Sequence, residues 1–269
     1  MSRLAAVFAK LEKDGRKALV PYIVAGDPVP SLTVPFMHEL VCQGADILEI
    51  GVPFSDPMAE GLVIQLAHER ALVNKVTLSM VLELVTEFRT RDETTPVVLM
   101  GYANPIERMG YQVFADRAAS AGVDGLLTVD MPPEEAEQPS KILRAAGIDN
   151  IFLLAPTSSD DRIKKIASLA SGYLYCVSLN GVTGAGNLDI KAVSEKLASI
   201  KRFTSLPITV GFGIKDGVSA AALAPLCEGV VVGSALIERL VASDTSMANA
   251  DRAAAAASLI GEIRAAIDA

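Results

Sequence analysis

The sequence predicts a single (β/α)8 barrel over residues 1–269, with an extra helix before the first strand. Eight short β-rich runs alternate strictly with amphipathic segments. Most of these runs are continuously apolar, which is typical of parallel strands covered on both faces. Eight strand–helix pairs favour a closed barrel over a doubly wound open sheet, which the absence of a GxGxxG fingerprint also disfavours. No linker-like tract of Ser, Gly and Pro divides the chain.

The elements are predicted from the apolar runs and the segments between them. The expected strands are Leu19–Ala25, Ile47–Gly51, Val97–Gly101, Gly125–Val129, Ile151–Leu154, Leu174–Ser178, Ile208–Gly211 and Val230–Gly233. The expected helices that follow them are Ser31–Cys42, Leu78–Arg91, Gln112–Ala121, Pro133–Ala146, Asp160–Ala170, Ile190–Ile200, Gly217–Ala224 and about Ala248–Ile267. Two further helices are expected: Leu4–Leu11 would close the bottom of the barrel, and Val63–Val73 would extend the loop after the second strand.

Composition argues against several classes of function. Asp and Glu (32) outnumber Lys and Arg (24), and the formal net charge of −8 comes without a basic cluster. Nucleic-acid binding and binding to anionic membranes are therefore not expected. Hydrophobic residues make up 51% of the chain, but no apolar run reaches the about 18 residues of a membrane span. The cysteines Cys42, Cys176 and Cys227 lie in apolar surroundings without CxxC spacing, which predicts reduced core thiols and a cytoplasmic location.

A carboxylate inside an apolar strand marks the candidate active site. Glu49 lies in the run Asp46–Gly51, and the Pro/Gly-rich loop that follows carries Asp56 and Glu60. Burying a carboxylate in an apolar strand is costly unless it is paired, hydrogen-bonded or protonated. Barrel active sites lie at the carboxyl ends of the strands, where Glu49 is expected. Since only two histidines occur, both expected on helices, acid–base chemistry would fall to carboxylates or tyrosines.

Glycine-rich stretches at the ends of the last three strands predict a phosphate site. They are Asn180–Gly186, Gly211–Ile214 and Gly233–Ser234. Barrels often bind phosphate at the loops after strands seven and eight and at a helix N-terminus, where backbone N–H groups hold the anion without Lys or Arg. The stretch Gly181–Asn187 is also expected to act as a lid that excludes water.

Several fragments, in order along nearly the whole chain, resemble one known family. They are PYIVAGDP (Pro21–Pro28), PFSDPMAEGLVIQ (Pro53–Gln65), VVLMGYANPI (Val97–Ile106), VDMPPEEA (Val129–Ala136), SGYLYCVSLNGVTG (Ser171–Gly184) and VGFGI (Val210–Ile214). Together they resemble the tryptophan synthase alpha subunit. That family usually has Asp and Pro where this sequence has Glu60 and Leu62.

The resemblance implies a lyase that cleaves indole-3-glycerol phosphate to indole and glyceraldehyde 3-phosphate by retro-aldol chemistry, without metal or cofactor. It also implies a beta subunit as partner, in an alpha2beta2 complex. By resemblance, Glu49 is the general acid–base, and Glu60 stands for the Asp that takes or stabilises the indole N–H proton. The substrate contacts implied are Tyr22, Met100, Leu127, Leu153, Tyr175, Thr183 and Phe212. The phosphate-binding residues are Gly184, Gly213, Gly233 and Ser234, and the beta-subunit surface comprises Pro53, Asp56, Asn104 and Pro132.

Other functions stay open at this point. The chain could be a stand-alone paralogue that releases indole, or another phosphate-sugar isomerase or cyclase on the same fold. It could also be a catalytically weak regulatory subunit that binds a phosphate ligand and a beta subunit. The extra methylene of Glu60 displaces its carboxylate by about 1 Å relative to Asp, and a misplacement of that order can lower the rate about 10²-fold. Whether Glu60 reaches the substrate therefore separates a lyase from a regulatory subunit.

Overall fold

The computed structural model describes residues 2–177, 190–211 and 213–269. Its parallel strands form a closed barrel in chain order, and the last strand pairs with the first. The strands are β1 (Ala18–Val24), β2 (Leu48–Gly51), β3 (Val97–Gly101), β4 (Gly125–Thr128), β5 (Asp149–Leu154), β6 (Leu174–Val177), β7 (Ile208–Gly211) and β8 (Gly229–Val232). The predicted (β/α)8 barrel is confirmed, with small differences at the strand ends.

Helices cover the outside of the barrel and its amino-terminal end. They are α1 (Arg3–Lys13), α2 (Pro30–Cys42), α3 (Leu62–Val73), α4 (Leu78–Arg89), α5 (Ala103–Met109), α6 (Tyr111–Ala121), α7 (Glu137–Ala145), α8 (Asp160–Leu169), α9 (Ile190–Lys201), α10 (Gly217–Leu223), α11 (Ser234–Ala242) and α12 (Asn249–Ile267). A 3-10 turn at Ala224–Leu226 follows α10. Across the described ranges, no helix combines the length and the apolar character needed to cross a bilayer.

Helix α1 closes the amino-terminal end of the barrel, as expected. Its buried residues Leu4, Phe8 and Leu11 follow helical spacing and face the barrel. A Cβ atom added at Gly125 would lie 3.3 Å from the Leu4 side chain, so Leu4 fills the space under the strands. The Phe8 ring packs on the Tyr173 ring, with 5.8 Å between centroids. Helix α1 thus supports a tyrosine that reaches up into the barrel interior.

Two sequence predictions need correction, and one helix was not predicted. The helix predicted over Pro133–Ala146 begins only at Glu137 because a turn comes first, in which the Glu135 N–H donates to the Pro132 carbonyl (3.0 Å). Two successive prolines also keep the first of them out of the helical region. Helix α5 was not predicted, since its seven residues are too few for a periodic signal. Cys42 is exposed at the last turn of α2 rather than buried, whereas the other two cysteines are buried.

Candidate active site

A cavity of about 280 Å³ opens at the carboxyl-terminal end of the strands. It is lined by Tyr22, Glu49, Glu60, Gly61, Ile64, Met100, Tyr175, Gly213, Ile214, Lys215, Val231, Gly233, Ser234, Ala235 and Glu238. The strands β1 to β3 and β6, with the loop after β2, contribute apolar, aromatic and carboxyl groups. The loops after β7 and β8 contribute glycines, a lysine and the start of α11. The cavity therefore fits a ligand with an apolar body and an anionic end.

Glu49 lies in the barrel interior because of the strand register. It pairs with Tyr22 of β1 and Val98 of β3, and its side chain is fully buried. The Tyr173 hydroxyl donates to Glu49 Oε1 (3.4 Å), whereas Oε2 finds no partner among the described residues. Burial raises the pKa of Glu49 to about 8; the bond from Tyr173 opposes this shift, and the nearby Glu60 adds to it. Glu49 is therefore mainly protonated at neutral pH, with one oxygen available to a ligand.

Glu60 is brought to the same cavity by the loop at 52–61, between β2 and α3. The Ala59 N–H donates to the Tyr102 hydroxyl (3.1 Å), and the Phe54 ring stacks on the Tyr102 ring, with 5.0 Å between centroids. The Gln65 amide donates to the Glu60 carbonyl (2.8 Å). Glu60 is only 7% exposed, and burial raises its pKa to about 7. Two carboxyl groups with raised pKa values in one cavity are typical of acid–base sites.

Helix α3 fixes this loop through His68, and it fixes the loop after β1 through Arg70. The Phe54 N–H donates to His68 Nδ1 (3.0 Å), and His68 Nε2 lies 3.4 Å from the Tyr22 hydroxyl. Burial lowers the pKa of His68 to about 4, so this imidazole is neutral at pH 7. The Arg70 guanidinium forms a bidentate pair with the buried Asp27 in the loop after β1, with N–O distances of 2.5 and 2.9 Å.

The absence of a side chain at two glycines leaves space for the tyrosine rings that line the cavity. A Cβ atom at Gly51 would lie 2.4 Å from the Tyr22 hydroxyl oxygen. At Gly211 it would lie only 1.8 Å from the Tyr175 hydroxyl oxygen. Burial raises the pKa of both tyrosines well above their usual range, so each keeps its proton. The two hydroxyl groups are thus fixed hydrogen-bonding groups at the cavity wall.

A larger cavity of about 740 Å³ lies at the opposite end of the barrel, beside α1. Its lining includes the ion pair of Lys201 with Glu228 (2.8 Å) and Arg16, which pairs with Asp268 (2.9 Å). The amino-terminal end of such barrels usually serves stability rather than catalysis. We therefore assign the candidate site to the smaller cavity with the buried carboxyl groups. In the described part of the chain, no group of three or more His, Cys, Asp or Glu side chains is placed to hold a metal ion.

Comparison with known proteins identifies the family. The family model described as tryptophan synthase alpha chain matches residues 8–267. The chain belongs to this family. The tryptophan synthase alpha chain of Methylococcus capsulatus is 58% identical over 243 residues, which cover 90% of this chain and 91% of that relative. The tryptophan synthase alpha chain of Thioalkalivibrio sulfidiphilus is 56% identical over 268 residues, which cover 100% of both.

Solved structures of the tryptophan synthase alpha family have the same fold. The alpha subunit from Legionella pneumophila superposes with a TM-score of 0.92 at 46% identity, covering 100% of this chain and 99% of that one. A chain of the aminoacrylate-bound tryptophan synthase from M. tuberculosis superposes with a TM-score of 0.87 at 33% identity, covering 99% and 100%.

For this member of the tryptophan synthase alpha family, the structure brings most of the predicted site residues together. Those that line the cavity are Tyr22, Glu49, Glu60, Met100, Tyr175, Gly213, Gly233 and Ser234. Leu127 and Leu153 are not part of the lining, although their register with Met100 and Tyr175 places them on inward-facing positions. Thr183, Gly184 and Phe212, like the predicted lid at Gly181–Asn187, lie outside the described residues.

The four residues predicted for the beta-subunit surface lie on the loops after β2 and β4 and in the first turn of α5, which follows β3. Asp56 and Asn104 are exposed and Pro132 is half-buried, whereas Pro53 is buried. The Ala103 N–H donates to Asp130 Oδ1 (2.8 Å), which joins the start of α5 to the loop after β4. The Phe54–Tyr102 ring contact joins the loop after β2 to the same region, so these segments form one surface at the carboxyl-terminal end of the barrel.

Three functional residues at or behind this cavity, Tyr173, His68 and Lys215, were not predicted from the sequence. Tyr173 lies two positions before Tyr175, so strand alternation could have placed both inside the barrel. His68 follows Ile64 at helical spacing on the buried face of α3, and a polar residue at such a position signals a specific partner. Lys215 lines the cavity next to the glycine-rich end, and nothing in the sequence pattern indicates this.

Proposed function

We propose that this chain cleaves indole-3-glycerol phosphate to indole and glyceraldehyde 3-phosphate, as the alpha subunit of a tryptophan synthase. Membership of the tryptophan synthase alpha family indicates the reaction. The main structural support is the pair of buried carboxyl groups in one cavity, which can supply the acid and the base. The apolar walls formed by Ile64, Met100 and Val231 suit an indole ring. The closed barrel and the match over residues 8–267 support a single catalytic domain.

The first step is a proton transfer to the indole ring. Protonated Glu49 delivers its proton to C3, and the ring N–H proton passes to the ionised Glu60. The ring becomes its indolenine tautomer, in which the carbon–nitrogen double bond can accept an electron pair. Since Glu49 titrates near pH 8 and Glu60 near pH 7, the required acid and base are both present near neutral pH.

The second step breaks the carbon–carbon bond. Ionised Glu49 takes the proton of the hydroxyl group on the glycerol side chain of the substrate. The aldehyde of glyceraldehyde 3-phosphate forms as the bond from this carbon to the indole C3 breaks. The electron pair of that bond restores the C2–C3 double bond of indole, and the ring nitrogen regains its proton from Glu60. Both carboxyl groups return to their starting protonation states, so no external acid or base is consumed.

The glycine-rich end of the cavity is proposed to hold the phosphate. Gly213 follows β7, and Gly233 and Ser234 begin α11, whose first backbone N–H groups attract an anion. Lys215 lines the same end and adds a positive charge to the backbone donors. A substrate anchored there is oriented with its indole ring toward the carboxyl groups.

The position of Glu60 argues for a lyase and against a catalytically weak regulatory subunit. Its side chain is buried in the cavity with Glu49 rather than turned to solvent, so the longer side chain is accommodated. The neighbouring Leu62 is 69% exposed at the start of α3. A phosphate-sugar isomerase or cyclase is not favoured, because the chain belongs to the tryptophan synthase alpha family.

We further propose that the surface with Asp56, Asn104 and Pro132 binds a tryptophan synthase beta subunit. This surface includes Asp56 on the loop that carries Glu60, so a partner bound there would influence the position of this carboxyl group. A cytoplasmic location is also proposed and is supported by the three cysteines, none of which forms a disulfide.

The test of this function is indole release from indole-3-glycerol phosphate by the purified chain, measured with and without a beta subunit. We expect slow release by the chain alone, with equimolar glyceraldehyde 3-phosphate, and a large increase when the beta subunit is added. Fast release that the beta subunit does not change would indicate a stand-alone lyase instead. Absence of indole under both conditions would contradict the lyase assignment.

A further inference from the structure

We propose that His68 is a positioning residue that fixes the Tyr22 hydroxyl as a hydrogen-bond donor into the active-site cavity. His68 lies behind the cavity wall on α3 and is not among the lining residues, so it would act on the reaction only through Tyr22. The catalytic consequence rests on the proposed lyase function, whereas the hydrogen-bond arrangement stands independently of it.

The backbone of the β2–α3 loop determines which nitrogen of His68 carries the proton. A backbone N–H can only donate, so the Phe54 N–H at 3.0 Å requires a lone pair on His68 Nδ1. In a neutral imidazole the single proton then lies on Nε2. A doubly protonated ring would lose the bond to Phe54, and at 1% exposure its charge would be buried without water.

The tautomer of His68 determines the direction of the next hydrogen bond. Nε2–H is a donor, so in the 3.4 Å contact the Tyr22 oxygen accepts. The phenol proton of Tyr22 cannot be directed to His68 and must be donated to another group. Tyr22 itself lines the cavity together with Glu49 and Glu60. The proton is therefore available, within the cavity, to a carboxylate of the site or to the bound substrate.

The surroundings of Tyr22 hold the ring in place for this role. Its hydroxyl lies over Gly51, where an added Cβ atom would come within 2.4 Å. Burial, together with the charges of Glu60 and Glu49, raises the pKa of Tyr22 well above its usual range. The hydroxyl therefore remains a donor throughout the working pH range. A donor that is oriented before the substrate binds needs no reorganisation during the reaction.

Two substitutions of His68 separate its two hydrogen bonds. In His68→Asn, the amide oxygen can take the place of Nδ1 and accept from Phe54, but no donor reaches Tyr22. In His68→Gln, the amide nitrogen can take the place of Nε2 and donate to Tyr22. Glu69→Gln, an exposed change on the same helix, is the matched control. Each variant is compared for kcat, KM and melting temperature.

We expect His68→Asn to lower kcat about five- to tenfold, with little change in KM. A factor of this size corresponds to the usual free energy of one oriented hydrogen bond. His68→Gln should restore most of that loss. Tyr22→Phe, which removes only the hydroxyl, should lower kcat by a similar factor, and His68→Asn should then add no further loss. Equal losses in the Asn and Gln variants, or a full additional loss in the Tyr22→Phe background, would overturn the proposal.

A measurement independent of activity tests the hydrogen-bond arrangement directly. The chain has only two histidines, so ¹⁵N-labelled protein gives two imidazole patterns by NMR, and His38→Gln identifies the other one. We expect His68 to be the neutral Nε2–H tautomer at pH 7. A neutral Nδ1–H tautomer or a charged ring would overturn the proposal even if every His68 variant failed to fold. If the wild type released no indole, the proposed function would fail while this measurement still decided the arrangement.

Discussion

Glu49→Gln is expected to lower kcat for indole release about 10²- to 10⁴-fold while KM stays nearly unchanged. The amide keeps the shape of the side chain and can still accept the bond from Tyr173. It cannot deliver a proton to C3 or take one from the hydroxyl. Because the proposed phosphate site lies at the glycine-rich end of the cavity and does not include Glu49, substrate binding should persist. Steady-state kinetics of indole release measure both constants.

Glu49→Gln should not lower the free energy of unfolding. A loss of kcat in this variant can therefore be assigned to the chemical step rather than to unfolding. The pKa of Glu49 rises from its usual 4.5 to about 8 in the folded chain. Between these pH values the unfolded chain releases a proton that the folded chain retains, so the unfolding free energy falls as pH rises. Glu49→Gln removes this effect and should give an equal or higher melting temperature at pH 7. Glu87→Gln, an exposed change on α4, is the control; a kcat for Glu49→Gln close to that of this control would contradict the assigned role.

Gly211→Ala is expected to lower kcat/KM for indole-3-glycerol phosphate about 10²-fold, through displacement of Tyr175. The added Cβ atom would lie 1.8 Å from the Tyr175 oxygen and 2.4 Å from its Cζ, distances that atoms cannot adopt. Gly211 pairs with Val177 in the closed barrel, so the strand has little freedom to withdraw. The ring must therefore move, and shifts of about 1 Å in a site can reduce rates about 10²-fold.

Gly147→Ala is the matched control for this prediction. Gly147 lies between α7 and β5, with a φ of +78° and no atom within 4 Å of an added Cβ. Alanine there is strained and lowers the free energy of unfolding by about 1–2 kcal/mol, comparable to the about 1–3 kcal/mol of an overpacked core. Equal activity losses in the two variants would show that Gly211→Ala acts through stability alone and would contradict the displacement of Tyr175.

The fold could be predicted from the sequence because its strands and longer helices each have a local sequence pattern. Each barrel strand is covered on both faces, so Val97–Gly101 and its counterparts appear as short apolar runs. The same pattern identified Glu49 as a candidate, since burying a carboxylate within an apolar strand is costly unless the group is paired, hydrogen-bonded or protonated. Elements without a local signal were missed or misplaced: α5 is too short for periodicity, and the turn at Pro132 delays the start of α7.

Site residues could be predicted from the sequence only where a local motif marks them. Glu60 was recognised from the PFSDP motif, but its burial depends on Tyr102, which lies 42 positions later and holds the loop through Ala59. The contact between Tyr22 and His68 likewise joins residues far apart in the sequence. Pro53 was expected at a partner surface, yet packing of the loop buries it. Such relations arise from tertiary packing and leave no pattern in a single sequence.

The pH dependence of kcat/KM tests whether Glu49 and Glu60 act as an acid–base pair, because it reports the ionisation of the free chain. In the active form Glu60 is ionised, above its pKa of about 7, and Glu49 is protonated, below its pKa of about 8. We expect a bell-shaped profile with its maximum between these values, and loss of the acidic limb near pH 7 in Glu60→Gln. A rate that is constant from pH 6 to 9, or that keeps rising above pH 9, would show that these two carboxyl groups are not the acid–base pair.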